Sequence, residues 1–109
     1  MYLDEKSALA RLGNNKKLYI MLLNNFKDDK SYMSLKESFK MGDTKKSVLN
    51  AHSIKGVSAN LSLLTLYEEA SKIEEQLKNN EIDMDAIDAL GAVIDATNSE
   101  IDKYLAENG

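Results

Sequence analysis

The chain contains no cysteine and no proline, and it has a single histidine, His52. Without cysteine there is no disulfide framework and no thiolate metal site, a composition that suits a reducing cytosol. One imidazole and no thiolate also leave too few ligands for a zinc centre. Without proline, and with few of the five glycines falling inside periodic segments, little interrupts a helix. That favours a helical bundle over a strand-rich fold. Long hydrophobic runs are missing too. The longest apolar stretch, around Tyr19 to Leu23, is far too short to span a bilayer. The N-terminus lacks the basic-then-apolar layout of a secretion signal. With these absences, the expected location is the cytoplasm, and no membrane partner is expected. Basic clustering is weak as well: the formal charge is −4 and the lysines are scattered among acids. A nucleic-acid partner would want a clustered basic face.

What is present is ample apolar material. The 109 residues are 43% hydrophobic, enough for one domain, residues 1–109, to bury a real core. Asp4 is positioned to cap a short helix that ends before Gly13. Asn14 or Asn15 starts a second helix through Asp28, with Leu18, Leu22 and Phe26 at one-face spacing and Tyr19 and Leu23 beside them. Ser31 can cap a shorter helix carrying Tyr32, Leu35 and Phe39, stopped by Gly42. Asp43 or Thr44 caps a long helical run, Thr44 to Leu61. Ser62 or Thr65 marks a break before a segment whose inward face is Leu66, Tyr67, Ala70, Ile73 and Leu77. Asn79 and Asn80 end it. Asp83 or Asp85 caps the last helix, with a stripe of Ile87, Leu90, Ile94, Ile101, Tyr104 and Leu105. The expected architecture is all-α: an antiparallel up-and-down four-helix bundle with short additional N-terminal and connecting helices. Met21, Met33, Met41 and Met84 read as gap-filling core or boundary residues.

The stretch with chemistry in it is Ala51-His52-Ser53-Ile54-Lys55-Gly56. At about 100° per residue, Ala51, Ile54, Val57, Ser58 and Leu61 gather on one side of the helix. His52, Lys55, Gly56 and Ala59 gather on the other. The apolar side must face the core, so His52 faces water. Lys55 and Gly56 lie one turn on, directly beside it. A glycine in mid-helix costs about 1 kcal/mol relative to alanine, and such a residue marks a close approach by something else. Val48 and Ala59 fall on the histidine side and suggest a modest apolar docking patch. An exposed imidazole beside a cation and a bare patch of backbone can carry a phosphoryl group to a docking partner. Nothing in the chain supplies catalysis by itself: there is no Gly-rich phosphate loop and no lysine–serine cradle. Glu81-Ile82-Asp83-Met84-Asp85 begins like a calcium loop but lacks the sixth-position glycine and closing glutamate, so it reads as a helix start. No intrinsic cofactor or metal is expected.

The hexapeptide resembles the signature of histidine phosphotransfer (HPt) domains, the intermediate carriers of multistep phosphorelays. That pattern is roughly Ala-His-x-Leu-Lys-Gly followed by small residues and a Leu-Gly pair. The flanks are similar too: Ala8 to Asn15 looks like the family's short first helix and turn. Leu22, Leu23 and Phe26 match its second helix, and Gly42-Asp43 its lead into the histidine helix. Ser62 stands where the family usually has glycine. The resemblance implies that His52 accepts phosphate through Nε2 from an aspartyl phosphate of a receiver domain. It implies that Glu74, in a position that is often Gln or Glu, orients the ring through Nδ1–H. Lys55 would offset phosphoryl charge and Gly56 would give access. The implied partners are response-regulator receivers, which would bring the Mg²⁺, and a hybrid or chemotaxis-type histidine kinase; the carrier itself would be a monomer without kinase or phosphatase activity. A start at Met and an end near Gly109 favour a free-standing carrier. Two other readings are a phosphoacceptor domain of a chemotaxis-type kinase and a helical scaffold that binds a partner without phosphorylation.

Overall fold

A computed structural model describes residues 1–109 as six helices with no strand: α1 (Glu5–Arg11), α2 (Lys16–Lys27), α3 (Ser31–Lys40), α4 (Thr44–Leu61), α5 (Leu64–Lys78) and α6 (Met84–Asn108). Four of them start where an acidic or amide side chain can cap the first turn. Asp4, Asn15, Asp43 and Asp83 accept from the backbone N–H of Ser7, Leu18, Lys46 and Ala86. Each such cap contributes about 1 kcal/mol. Ser31 is not a cap. It is the first helical residue of α3, and its N–H donates to the Asp29 carboxylate at 2.7 Å. The tight turns after α1 and α3 use left-handed backbone at Gly13 and Gly42.

Seventeen apolar residues form one buried cluster. α4 lies at its centre, packed between α3 and α5 and touching α1 and α2. α6 packs on α5 and reaches α2 and α3. Tyr19 ties α2 to both neighbours: its hydroxyl donates to Leu61 O at 2.9 Å, and its ring meets Tyr104 edge-on at 5.6 Å. Lys16 donates to Asn108 Oδ1 at 2.6 Å, Lys27 pairs with Asp102, and the Tyr32 hydroxyl donates to Ile87 O at 2.9 Å. Gly91 lets that tyrosine in, because a Cβ there would collide with the phenol ring.

Several side chains sit differently from the sequence expectation. The buried face of α2 is Tyr19, Leu23 and Phe26, with Leu18 and Leu22 only half-buried. Three methionines expected at the core or its boundary, Met21, Met33 and Met41, point to solvent, Met41 at 84% exposure; Met84 is half-buried against the core. Tyr67, expected inward, is exposed, because one residue earlier Leu66 takes the core position. Ser38, Ser47, Ser58 and Thr97 are buried although polar. Their hydroxyls are satisfied within their own helices: Ser38 on Leu35 O, Ser47 on Asp43 O, Ser58 on Ile54 O and Thr97 on Val93 O. No helix is long and apolar enough to cross a membrane.

Candidate functional site

The phase of α4 sets the site. Ser47, Ala51, Ile54, Ser58 and Leu61 are its buried residues, so the opposite side, centred on His52, faces outward. The His52 side chain is 67% exposed. Its Nδ1 lies 3.0 Å from Glu74 Oε2 on α5, and Nε2 makes no hydrogen bond within the protein. Glu74 itself is only 6% exposed. It can be buried because both of its oxygens are answered by charge. Lys55 Nζ lies 3.5 Å from Oε1, and Lys78 Nζ lies 3.5 Å from Oε2, the oxygen that also meets His52. Burial works against ionising Glu74, but the hydrogen bond with His52 and the ammoniums of Lys78 and Lys55 outweigh it. The carboxyl is held below the ordinary glutamate range. An ionised Glu74 can only accept, so it selects the imidazole tautomer with the proton on Nδ1. That tautomer leaves a lone pair on Nε2, aimed at solvent.

Lys55 is held from two sides. Besides Glu74, its ammonium sits over the Tyr67 ring at 5.9 Å from the centroid, a cation–π contact. The outward turn of Tyr67 thus gives the site a support that the sequence expectation had placed in the core. Gly56, one turn after His52, is exposed, and a Cβ built on it meets nothing within 4 Å. Val48, read from sequence as exposed, is half-buried and packed against the core. Ala59 is half-buried beside Leu64, Tyr67 and Arg11, and its carbonyl accepts from Arg11 at 2.7 Å. The apolar side chain that stands clear of the surface near His52 is Leu49, 59% exposed and one turn earlier.

The structure therefore brings His52, Lys55, Gly56 and Glu74 together, with Val48 and Ala59 at the margin. Three participants escaped sequence reasoning: Tyr67, read as a core residue, Lys78 and Leu49. Lys78 carried a usable signal, since it stands four residues after Glu74 on the same helix face. Leu49 carried a weaker one, being apolar at a position three before His52. No group of three His, Asp or Glu side chains converges in a way that could hold a metal ion.

Comparison with known proteins gives two findings of similarity. Residues 24–102 match the family model of the Hpt domain. The fold is similar to that of histidine-containing phosphotransfer protein B (HptB) from Pseudomonas aeruginosa PAO1, with a TM-score of 0.86 over 99% of this chain and 97% of that one, at 20% identity. No curated protein sequence matches the chain.

Proposed function

The chain belongs to the Hpt domain family, the phosphocarriers of two-component phosphorelays, and from that premise we propose that His52 is the residue that takes up and passes on the phosphoryl group. The observation that carries this is the fixed, outward imidazole: Nδ1 tied to a buried carboxylate at 3.0 Å on a side chain that is 67% exposed. The Nε2 lone pair attacks the phosphorus of an aspartyl phosphate, and the phosphorus–oxygen bond to the aspartate breaks, releasing its carboxylate. The ring keeps its Nδ1 proton throughout, and Glu74 faces the positive charge that the phosphorylated ring acquires. Lys55 stands where it can offset charge on the phosphoryl oxygens, and Gly56 leaves room for the partner's active-site loops.

Hpt domains exchange phosphate with receiver domains and kinases. We assign this one to response-regulator receivers on one side and a hybrid or chemotaxis-type histidine kinase on the other. The receiver brings the Mg²⁺ and most catalytic groups, since in-line phosphoryl transfer needs a cation clamp. The protein acts as a cytoplasmic monomer and a single domain, without kinase or phosphatase activity of its own. Its helices are best read as an antiparallel up-and-down bundle in which α2 and α3, end to end, make one of four rods. The order of contacts supports this. Along α6 the contacts run backwards, from Lys16 at Asn108 through Lys27 at Asp102 to Tyr32 at Ile87. On α4, Tyr19 meets Leu61 and Ser38 meets Ser47.

The test is to mix the protein with a phosphorylated receiver and look for an acid-labile, base-stable phosphoryl group. His52→Gln should abolish it and leave thermal stability within about 0.5 kcal/mol, the usual range for an exposed position. Labelling that persists in the variant would overturn the assignment.

A further inference from the structure

The carboxylate that orients His52 also threatens it. A single ionised glutamate against an imidazole favours imidazolium, and an imidazolium has no lone pair for attack. Glu74 does not stand alone. Lys55 meets Oε1, and Lys78, four residues on along α5, meets Oε2. Lys78 therefore shares one oxygen with His52 Nδ1, which lies 3.0 Å from it.

We propose that Lys78 is a positioning residue for the phosphoryl-transfer site: by sharing Glu74 Oε2 with His52 it fixes the carboxylate rotamer and balances its charge, so that Glu74 orients the ring without converting it to imidazolium. The proposal rests on His52 being the phosphoryl acceptor. With Lys55 and Lys78 both in contact with Glu74, the cluster around the ring carries one negative and two positive charges, so the two ammoniums oppose the pull of the carboxylate on a ring proton. The charged groups that reach this point are Lys55 from α4 and Glu74 and Lys78 from α5. No ion pair links the cluster to any other helix. The lowered carboxyl of Glu74 agrees with this arrangement, Lys78 being among its causes. Lys78 also closes the last turn of α5, where any cation complements the negative end of the helix. That duty alone would not reach the titration of His52, which is why titration is the decisive measurement.

His52 is the only histidine, so its ring resonances can be followed by NMR without assignment ambiguity. In Lys78→Met the pH at which the ring gains its proton should rise by roughly half a unit, the size expected for one unit charge a few ångströms away near a protein surface. Lys78→Arg should restore the wild-type midpoint. In a Glu74→Gln background, Lys78→Met should move the midpoint much less, because a neutral amide no longer holds the Lys78 ammonium beside the ring. Phosphoryl uptake from a phosphorylated receiver should fall roughly threefold in Lys78→Met below the midpoint and rejoin wild type at high pH, as the same half unit read as a population of neutral ring. A midpoint that does not move, an equal shift in Lys78→Arg, or a loss of rate that is the same at every pH would overturn the proposal. The NMR arm needs no receiver. A wild-type protein that never becomes labelled would remove the acceptor role of His52, while the midpoint would still decide whether Lys78 balances Glu74.

Discussion

Two glycines lie inside long helices, and they show how one residue type can answer two different needs. Gly91 in α6 has no room for a side chain, since the Tyr32 ring occupies the space a Cβ would take. Gly56 in α4 has nothing within 4 Å of that point. The helix-propensity cost of Gly91 is therefore explained by packing within the chain, whereas that of Gly56 is not. Substitution should separate them. Gly56→Ala should raise stability by up to about 1 kcal/mol, read as a higher urea midpoint at unchanged slope. Gly91→Ala should lower it, by about 1–3 kcal/mol for overpacking. Gly56→Gln should leave the fold intact and block phosphoryl uptake, because the new side chain stands where a partner must come close. A Gly56→Gln variant that is labelled normally would show that access is not the reason for this glycine. The outward phase of His52 and Gly56 was legible in sequence because the buried residues of α4 recur at helical spacing. The ion pairs on Glu74 were less so. The Lys78 contact follows from i,i+4 spacing on α5, but whether Lys55 and His52 of α4 reach the same carboxylate depends on how far α5 is rotated against α4, and spacing within one helix cannot fix that.

At the scale of elements, the end of α4 is the instructive place. Ser62 is its C-cap residue, with left-handed backbone at φ 54° and ψ 44°. Glycine reaches that region without penalty, whereas a residue with a Cβ pays for it. This gives the physical reason why glycine suits the position and why serine there needs compensation. The compensation comes from α1: Ser62 Oγ is 3.0 Å from Ser7 Oγ and accepts from Arg11, and the Ser62 carbonyl accepts from Asp4 N–H at 3.0 Å. Ser62→Ala keeps the backbone cost and the carbonyl bond to Asp4 but loses the two bonds made by Oγ, so it should destabilise by about 1–2 kcal/mol. Ser62→Gly loses the same bonds but relieves the backbone, so its loss should be smaller, with the difference read directly from denaturant midpoints. Equal losses would mean that the left-handed backbone costs the serine nothing. Helix starts were readable because capping is local: Asp4, Asn15, Asp43 and Asp83 act within three residues of themselves. Faces were read less well where buried positions are polar. Ser47 and Thr97 return their hydroxyls to a carbonyl one turn back, which lets them sit in the core while counting as polar in a hydrophobic pattern; Ser58 does the same, but its apolar neighbours already placed it on the core side. The misplaced face of α2 has a related cause. Leu18, Tyr19, Leu22, Leu23 and Phe26 form a stripe wider than the buried strip, and only the packing of α4 and α6 selects Tyr19, Leu23 and Phe26 from it.

Over the whole molecule, charge is distributed against the average. The chain carries a formal charge of −4, yet α4 contains Lys45, Lys46 and Lys55 and no acidic residue. Lys45 and Lys46 lie in its first turn, exposed and without ion pairs, at the positive end of the helix, where cations are unfavourable. Folding gains nothing from them there. A docking partner that holds Mg²⁺ must present carboxylates to do so, and it would approach His52 along this basic ridge, with Leu49 as an apolar contact beside it. The polarity of the surface should then act mainly on the rate of encounter. The second-order rate of phosphoryl uptake from a phosphorylated receiver should fall several-fold as ionic strength rises from about 0.01 M, where the screening length is ~30 Å, to about 0.15 M, where it is ~8 Å. Replacing both lysines, Lys45→Glu and Lys46→Glu, should slow uptake at low salt and flatten the salt dependence. The same double variant should be more stable than wild type by about 0.5–2 kcal/mol, since each carboxylate now complements the helix end. Stability and transfer moving in opposite directions identifies the ridge as a surface kept for a partner. A variant that transfers at the wild-type rate across the whole salt range would leave the two lysines without a part in docking, and encounter would then depend on the uncharged surface around Leu49 and Gly56.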